Sequence, residues 1–309
     1  MALSLRFKLL VLTIVPIVLL AGFGGFLVYQ NWQDGIKIID AQKRMTLISS
    51  LSRLTSAVQT ERGVSTLYLS GAAAADQLLP ARTATDGAWE EARVALEEST
   101  VVSWVLSDLS TAFGSISESR REVTERSVLQ TSSFASYTTL VNLTLDAIAE
   151  SARVDAAKAS EALTAMLITE AAQEYAEQTR AYASNIFALD LPILESSLQQ
   201  LFGSYAAITV NLESRSFTMS GEAEIALSEL YASQAWADLE AAVLDISSMS
   251  YVGGYGKDSL EFYKATAGVI DGIKAVRKLT AQDAERSLSM RKAQLSKTTL
   301  VIAAVVGGA

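Results

Sequence analysis

Apolar and polar residues recur along this chain with the spacing of helices, and no stretch alternates with the two-residue period of a strand. Leu47, Leu51, Leu54, Val58, Glu61, Ser65 and Tyr68 step alternately by four and three, which places them on one packed helix face. Ile168, Ala172, Tyr175, Thr179, Tyr182, Ile186 and Leu189 form a second seam, and Phe262, Thr266, Val269, Ile273, Val276 and Thr280 a third. Only Pro16, Pro80 and Pro192 could break helices by lacking an amide hydrogen. The breakers predict a first helix ending at Leu69, a turn from Gly71 to Pro80, and a second helix starting near Thr85 or Asp86. A third runs from about Ser117 to Ser151, with an earlier break near Gly114. A fourth opens at Asp155 or Ser160 and stops at Asp190-Leu-Pro192, proline being favoured in the first turn of the next. The fifth ends near Ser214, and Ser220-Gly221 introduces a sixth that ends near Ser250. A glycine-rich turn, Tyr251 to Gly256, precedes a last long helix. Helices with one apolar stripe must bury it on one another. Some seven helices exceed one four-helix bundle, so the expected fold is all-α with two helical bundles.

The first seam contains its own exception. Glu61 and Gly63 interrupt it, and a mid-helix glycine costs about 1 kcal/mol against alanine. A buried charge must find a partner. Local rule-breaking of this kind marks places that carry something other than packing.

Two apolar segments bracket the polar part. Residues 9–28 form a run of 20 without a charge, about the length that crosses a bilayer. Arg6 and Lys8 precede it and no basic residue follows until Lys37, which places residues 1–8 in the cytoplasm and the following chain outside. Its length and its Gly-Phe-Leu-Val-Tyr-Gln end argue for an anchor rather than a cleaved signal peptide. Residues 298–309 read as the start of a second transmembrane helix, truncated by the end of the chain. Between them lie a membrane-proximal helix at 29–44, a sensor domain at 45–250 and a membrane-proximal long helix at 251–297. The expected location is the bacterial inner membrane with the domain in the periplasm, and any output activity belongs to a cytoplasmic module beyond residue 309.

Composition removes whole classes of chemistry. The 309 residues include no cysteine and no histidine, so disulfides, cysteine nucleophiles, histidine-ligated metals and Ser-His-Asp triads are excluded. A net charge of −9 argues against nucleic acid. No nucleophile–base arrangement is visible, so no catalytic residue, metal or cofactor is expected, and the chain does not read as an enzyme. Glu90-Glu91, Glu97-Glu98 and Arg120-Arg121 with Arg126 read as solvated helix faces. Glu170, Glu174 and Glu177 share one face and without histidine make a poor metal site.

Arg62 and Arg180 are the candidate binding residues. Each sits one position off a seam among small or hydroxylated neighbours, Ser65 and Thr66 for the first and Ala183 and Ser184 for the second. A guanidinium is planar, always charged and carries a fork of donors that matches a small oxyanion. Ser65 is a further candidate, and Gly63 would let a ligand or a neighbouring backbone approach closely. The alternative is structural: Arg62 paired with Glu177 or Glu174, and Arg180 with Glu61 or Glu177. The chain would then be a membrane-anchored helical scaffold that binds protein partners and no small ligand.

Gln59-Thr-Glu61-Arg62-Gly63-Val-Ser65 with Leu67 and Leu69 resembles the opening motif of the nitrate- and nitrite-sensing (NIT) domain of bacterial transmembrane receptors. Glu174-Tyr-Ala-Glu177-Gln-Thr-Arg180-Ala181 is similar to its later motif, and Tyr137-Thr-Thr-Leu140 with Leu145 and Ile148 to the start of its third long helix. The resemblance spans roughly residues 45 to 250. It implies paired four-helix bundles and a nitrate or nitrite ligand held by Arg62 and Arg180. It also implies a chemoreceptor-like homodimer that signals across the membrane. Some members carry a second arginine where this chain has Glu61, and a late family arginine has no match between Arg215 and Arg277. The expected mechanism is neutralisation: two facing guanidinia repel until an anion draws their helices together.

Overall fold

The computed structural model describes residues 5–99, 103–153, 157–214 and 219–307, and those residues contain helices and no strand. The chain divides into two compact units, Arg44–Ala284 and a smaller one made of Met1–Lys43 with Glu285–Ala309. Helix α1 spans Leu5–Leu69, followed by a 3₁₀ turn at Ala75–Gln77, α2 (Leu78–Glu97), α3 (Ser103–Gly114), α4 (Ile116–Glu125) and α5 (Gln130–Ala152). Next come α6 (Ala157–Leu189), α7 (Glu195–Leu212), α8 (Gly221–Tyr231), α9 (Gln234–Met249), α10 (Ser259–Ala265) and α11 (Ala267–Gly307).

In the smaller unit α1 carries an apolar stretch long enough to cross a membrane. Its side chains there face outward, Leu12, Val18, Leu19 and Phe23 among them. Asn31 Nδ2 donates to Thr299 Oγ1 at 3.4 Å. Leu300 and Val301 at the end of α11 are also exposed.

The larger unit is built around α6, which packs on α5 to one side and on α7, α9 and α10 to the other. Its alanines Ala172, Ala176 and Ala183 are fully buried and let neighbouring helices approach closely. On the α7 to α11 side they join Phe187, Leu201, Ile208, Leu239, Val243, Ile246, Phe262 and Ile273 in one apolar core. Each large side chain so buried stabilises by about 1.5–3 kcal/mol. Phe187 anchors it with edge-on contacts to Phe262 (5.1 Å) and Tyr255 (5.8 Å).

Several boundaries differ from the expected ones. Helix α2 begins at Leu78 rather than Thr85, because Pro80 sits in its first turn, where a missing amide hydrogen costs nothing. The stretch expected as one helix from Ser117 is two, since Arg126 takes a left-handed conformation (φ 52°) and ends α4; its guanidinium lies 4.5 Å from the Tyr68 ring centre. Pro192 stands in the connection rather than in the first turn of α7. The sixth expected helix breaks at Ala232, where Ser233 caps α9 by accepting from Trp236 N at 3.2 Å. Ser220 caps α8 as anticipated. The expected start at Asp155 lies outside the described residues.

One connection positions the site. Asp190, at φ 50°, accepts from Tyr255 N (2.6 Å) and Gly256 N (3.3 Å) through its carboxylate and from Gly254 N through its carbonyl. Gly253 is at φ 70°, and a side chain there would meet the backbone of Leu191 at 2.7 Å. This stitch ties the end of α6 to the approach of α10. Asp258 then caps α10, accepting from Glu261 N at 2.7 Å.

Candidate ligand-binding site

Glu170, Glu174 and Glu177 stand at one-turn intervals on α6, all buried. Each is met by an arginine. Arg277 of α11 donates through Nη1 to both oxygens of Glu170 at 2.7 Å. Arg62 of α1 grips Glu174 in a two-point fork, Nη1 to Oε1 at 2.7 Å and Nη2 to Oε2 at 2.9 Å. Arg180 donates through Nη2 to Glu177 at 2.5 Å. Gln59 and Gln173 link the first two pairs: Gln173 donates to Gln59 (2.6 Å) and Gln59 to Glu174 (2.8 Å). Three carboxylates and three guanidinia therefore form a charge-balanced ladder through the interior, each charge neutralised at contact distance as buried charges must be.

The two candidate arginines are not equivalent. Arg62 is 1% exposed; besides Glu174 it donates to Thr138 Oγ1 at 2.8 Å, and its guanidinium carbon lies 4.6 Å from the Phe134 ring centre. Arg180 is 6% exposed, and both of its hydrogen bonds leave from Nη2, to Glu177 and to Tyr263 Oη at 3.0 Å. Its Nε is buried without an acceptor. Burial works against its charge, but Glu177 outweighs that and raises the pKa. The guanidinium also lies over the Tyr263 ring, 3.9 Å from its centre.

Gly63 makes that arrangement possible. A Cβ there would stand 2.1 Å from Tyr263 Oη and 3.0 Å from Cζ, so the close neighbour at Gly63 is the phenol of α10. Ser65 is fully buried beside the phenol of Tyr137. The structure thus brings Gly63 and Arg180 together through Tyr263. It places Arg62 on Glu174 and Ser65 beside Tyr137.

Glu61 has a network of its own. It is 0% exposed, held by Arg120 at 2.7 and 2.8 Å, with Tyr137 Oη donating at 2.8 Å and Arg82 Nε 4.0 Å away. Arg120 also binds Asp86 at 2.7 Å. Arg120 is therefore not the solvated residue that its run with Arg121 suggests; Arg121 is, paired with Glu118 and Glu125 on the surface. The picture of two bare guanidinia repelling each other also fails, because each carries its own carboxylate.

A cavity of about 420 Å³ lies between α5, α6 and α7, lined by Thr66, Gln130, Phe134, Thr138, Tyr182 and Asn185 among others, none of them charged. Thr138 and Phe134 also contact Arg62, so the cavity adjoins that arginine.

Buried phenols make the unit sensitive to alkali. Burial, partly offset by Arg180, pushes Tyr263 up to about 12, and burial does the same to Tyr231. Tyr137 is raised by burial and by Glu61. Above about pH 10 an unfolded chain loses phenolic protons that the folded one keeps, so stability falls as pH rises. Tyr263 alone accounts for roughly 2–3 kcal/mol by about pH 12. Denaturation midpoints between about pH 9 and pH 12 check this, and Tyr263→Phe should flatten the decline.

Sequence reasoning missed Tyr263, Arg277 and the buried role of Arg120. The available signal was the α6 triplet, three carboxylates one turn apart among alanines, a pattern that needs cations once that face is buried.

A family described as nitrate and nitrite sensing matches residues 53–285. The solved structure of the NasR transcription antiterminator is similar, with a TM-score of 0.74 and 15% identity, covering 87% of this chain and 80% of that one. At that identity the likeness speaks for the fold alone. No curated protein sequence matches the chain.

Proposed function

The chain belongs to the nitrate- and nitrite-sensing family, and we propose that it is the periplasmic sensor portion of a transmembrane receptor whose ligand docks at Arg180. The family's described role is sensing rather than catalysis. The observation that carries the proposal is the unpaired Nε of a nine-tenths-buried arginine inside an otherwise balanced ladder. A buried donor without an acceptor is costly, and an oxyanion supplies the missing acceptor through a charge-assisted hydrogen bond. Nitrate presents the same flat pair of oxygens as a carboxylate, so it competes with Glu177 for this guanidinium.

Exchange, rather than neutralisation of bare charges, is then the mechanism. An anion that draws Arg180 from Glu177 shifts α6 against α10, and α10 runs within one residue into α11. Helices α1 and α11 are covalently continuous with the apolar segments at 9–28 and 298–309, so shifts of about 1–2 Å would suffice for a membrane signal. A homodimer and a cytoplasmic output module complete this reading.

The scaffold alternative has both of its expected ion pairs in its favour, Arg62 on Glu174 and Arg180 on Glu177, and Arg62 is fully engaged. Calorimetric titration of the full chain in lipid nanodiscs with nitrate and nitrite, against chloride and sulfate, separates the two. Saturable heat from nitrate or nitrite is expected. Arg180→Lys, which keeps the charge and loses the Nε donor, should weaken it at least tenfold. Silence with every anion favours the scaffold.

A further inference from the structure

Three hydrogen-bond donors stand on two touching helical turns. Arg180 Nε is buried without a partner, and so is the Oγ of Ser184, one turn further along α6 and 1% exposed. Tyr263 Oη accepts from Arg180, and no described residue takes its hydrogen. The turns are in contact, because Ser259, one turn before Tyr263 on α10, donates to the Ser184 carbonyl at 2.7 Å. Native interiors leave few polar groups unmet, and two buried ones within a single turn, beside a phenol that accepts from Arg180 and still has a hydrogen to give, form a concentration that packing does not explain.

We propose that Ser184 and Tyr263 complete the oxyanion site, so that a planar, three-oxygen anion takes one hydrogen bond each from Arg180 Nε, Ser184 Oγ and Tyr263 Oη. The inference rests on the docking at Arg180 argued above and adds two ligand-binding residues to it. A water molecule offers two acceptor sites to three donors, whereas nitrate offers three oxygens. Burial keeps the phenol protonated far above neutral pH, so it remains a donor. Glu177 retains its bond to Nη2 until the anion competes for it, which favours a singly charged ligand over sulfate. Tyr263 lies on α10 immediately before α11, the helix that continues beyond the larger unit.

The test uses the full chain in nanodiscs, with nitrate as the probe. Ser184→Ala and Tyr263→Phe should each weaken nitrate binding about tenfold or more, with unchanged circular dichroism. Nitrate should also shift the ultraviolet absorption of tyrosine in the wild type, and Tyr263→Phe should abolish that shift. The wild-type spectrum needs no variant to fold, so an unchanged spectrum overturns the proposal by itself. Wild-type affinity in both variants overturns it too, while leaving docking at Arg180 intact. Absence of nitrate binding to the wild type removes both readings, and loss of binding in Arg180→Lys alone keeps only the first.

Discussion

Replacing Arg62 with alanine should lower the stability of the larger unit by about 3–5 kcal/mol, the cost of leaving a buried charge without its partner. The stranded group is Glu174, 2% exposed, which would keep only the amides of Gln59 (2.8 Å) and Gln178 (2.6 Å). For a unit of this size that corresponds to a melting temperature roughly 6–20 °C lower, read by circular dichroism. Removing both charges should be milder. In Arg62→Met/Glu174→Leu the desolvation of two ions disappears with their attraction, and most of the loss should be recovered. Recovery should be incomplete, because Gln59, Gln178 and Thr138 each lose the bond they make to this pair. An Arg62→Ala variant with wild-type stability would show that the fork in the core contributes nothing to folding. Loss of anion binding in this variant therefore means little unless its fold is measured alongside.

Glu61→Gln should cost about 2–4 kcal/mol although it changes a single atom, because its amide nitrogen turns a donor toward the Arg120 guanidinium. Arg120 would retain Asp86, and Arg82 would lose the carboxylate that lies 4.0 Å from its Nε. The control is Asp86→Asn on the same arginine. Asp86 is 54% exposed, and removing its charge should cost less than about 1 kcal/mol. Chemical denaturation of both variants under identical conditions gives the comparison. Equal losses would contradict the assignment of Glu61 as the buried half of the network. The same geometry explains how this chain buries a glutamate in the α1 seam: Arg82 and Arg120 supply the positive charge from α2 and α4.

The helices themselves were legible in the sequence. Apolar seams of period three and four, scarce prolines and serine caps such as Ser220 are local signals, and local physics determines where a helix can start and what face it buries. The end of α1 at Leu69, the stop at Asp190 and the glycine turn before α10 follow from that. The breaks at Arg126, Ala232 and Thr266 did not, because none of these residues is a glycine or proline, and the Ser233 cap that opens α9 is a serine like many that cap nothing. The site was half legible for a related reason. The sequence shows that Arg62 and Arg180 lie beside apolar seams, and that Glu170, Glu174 and Glu177 share a face. Arg180 and Glu177 are a local pair three residues apart on α6, but which other cation meets which carboxylate depends on how the remaining helices pack, and pairs separated by 59 to 112 residues leave no periodic trace. Gly63 is the sharpest instance: its sequence marks a place of close approach, and only the tertiary structure names the phenol of Tyr263 as the group that fills it. Composition and spacing determined the elements and the supply of charges, while the pairing of those charges was decided by packing, because a buried ion is stable only against a partner that the rest of the fold delivers.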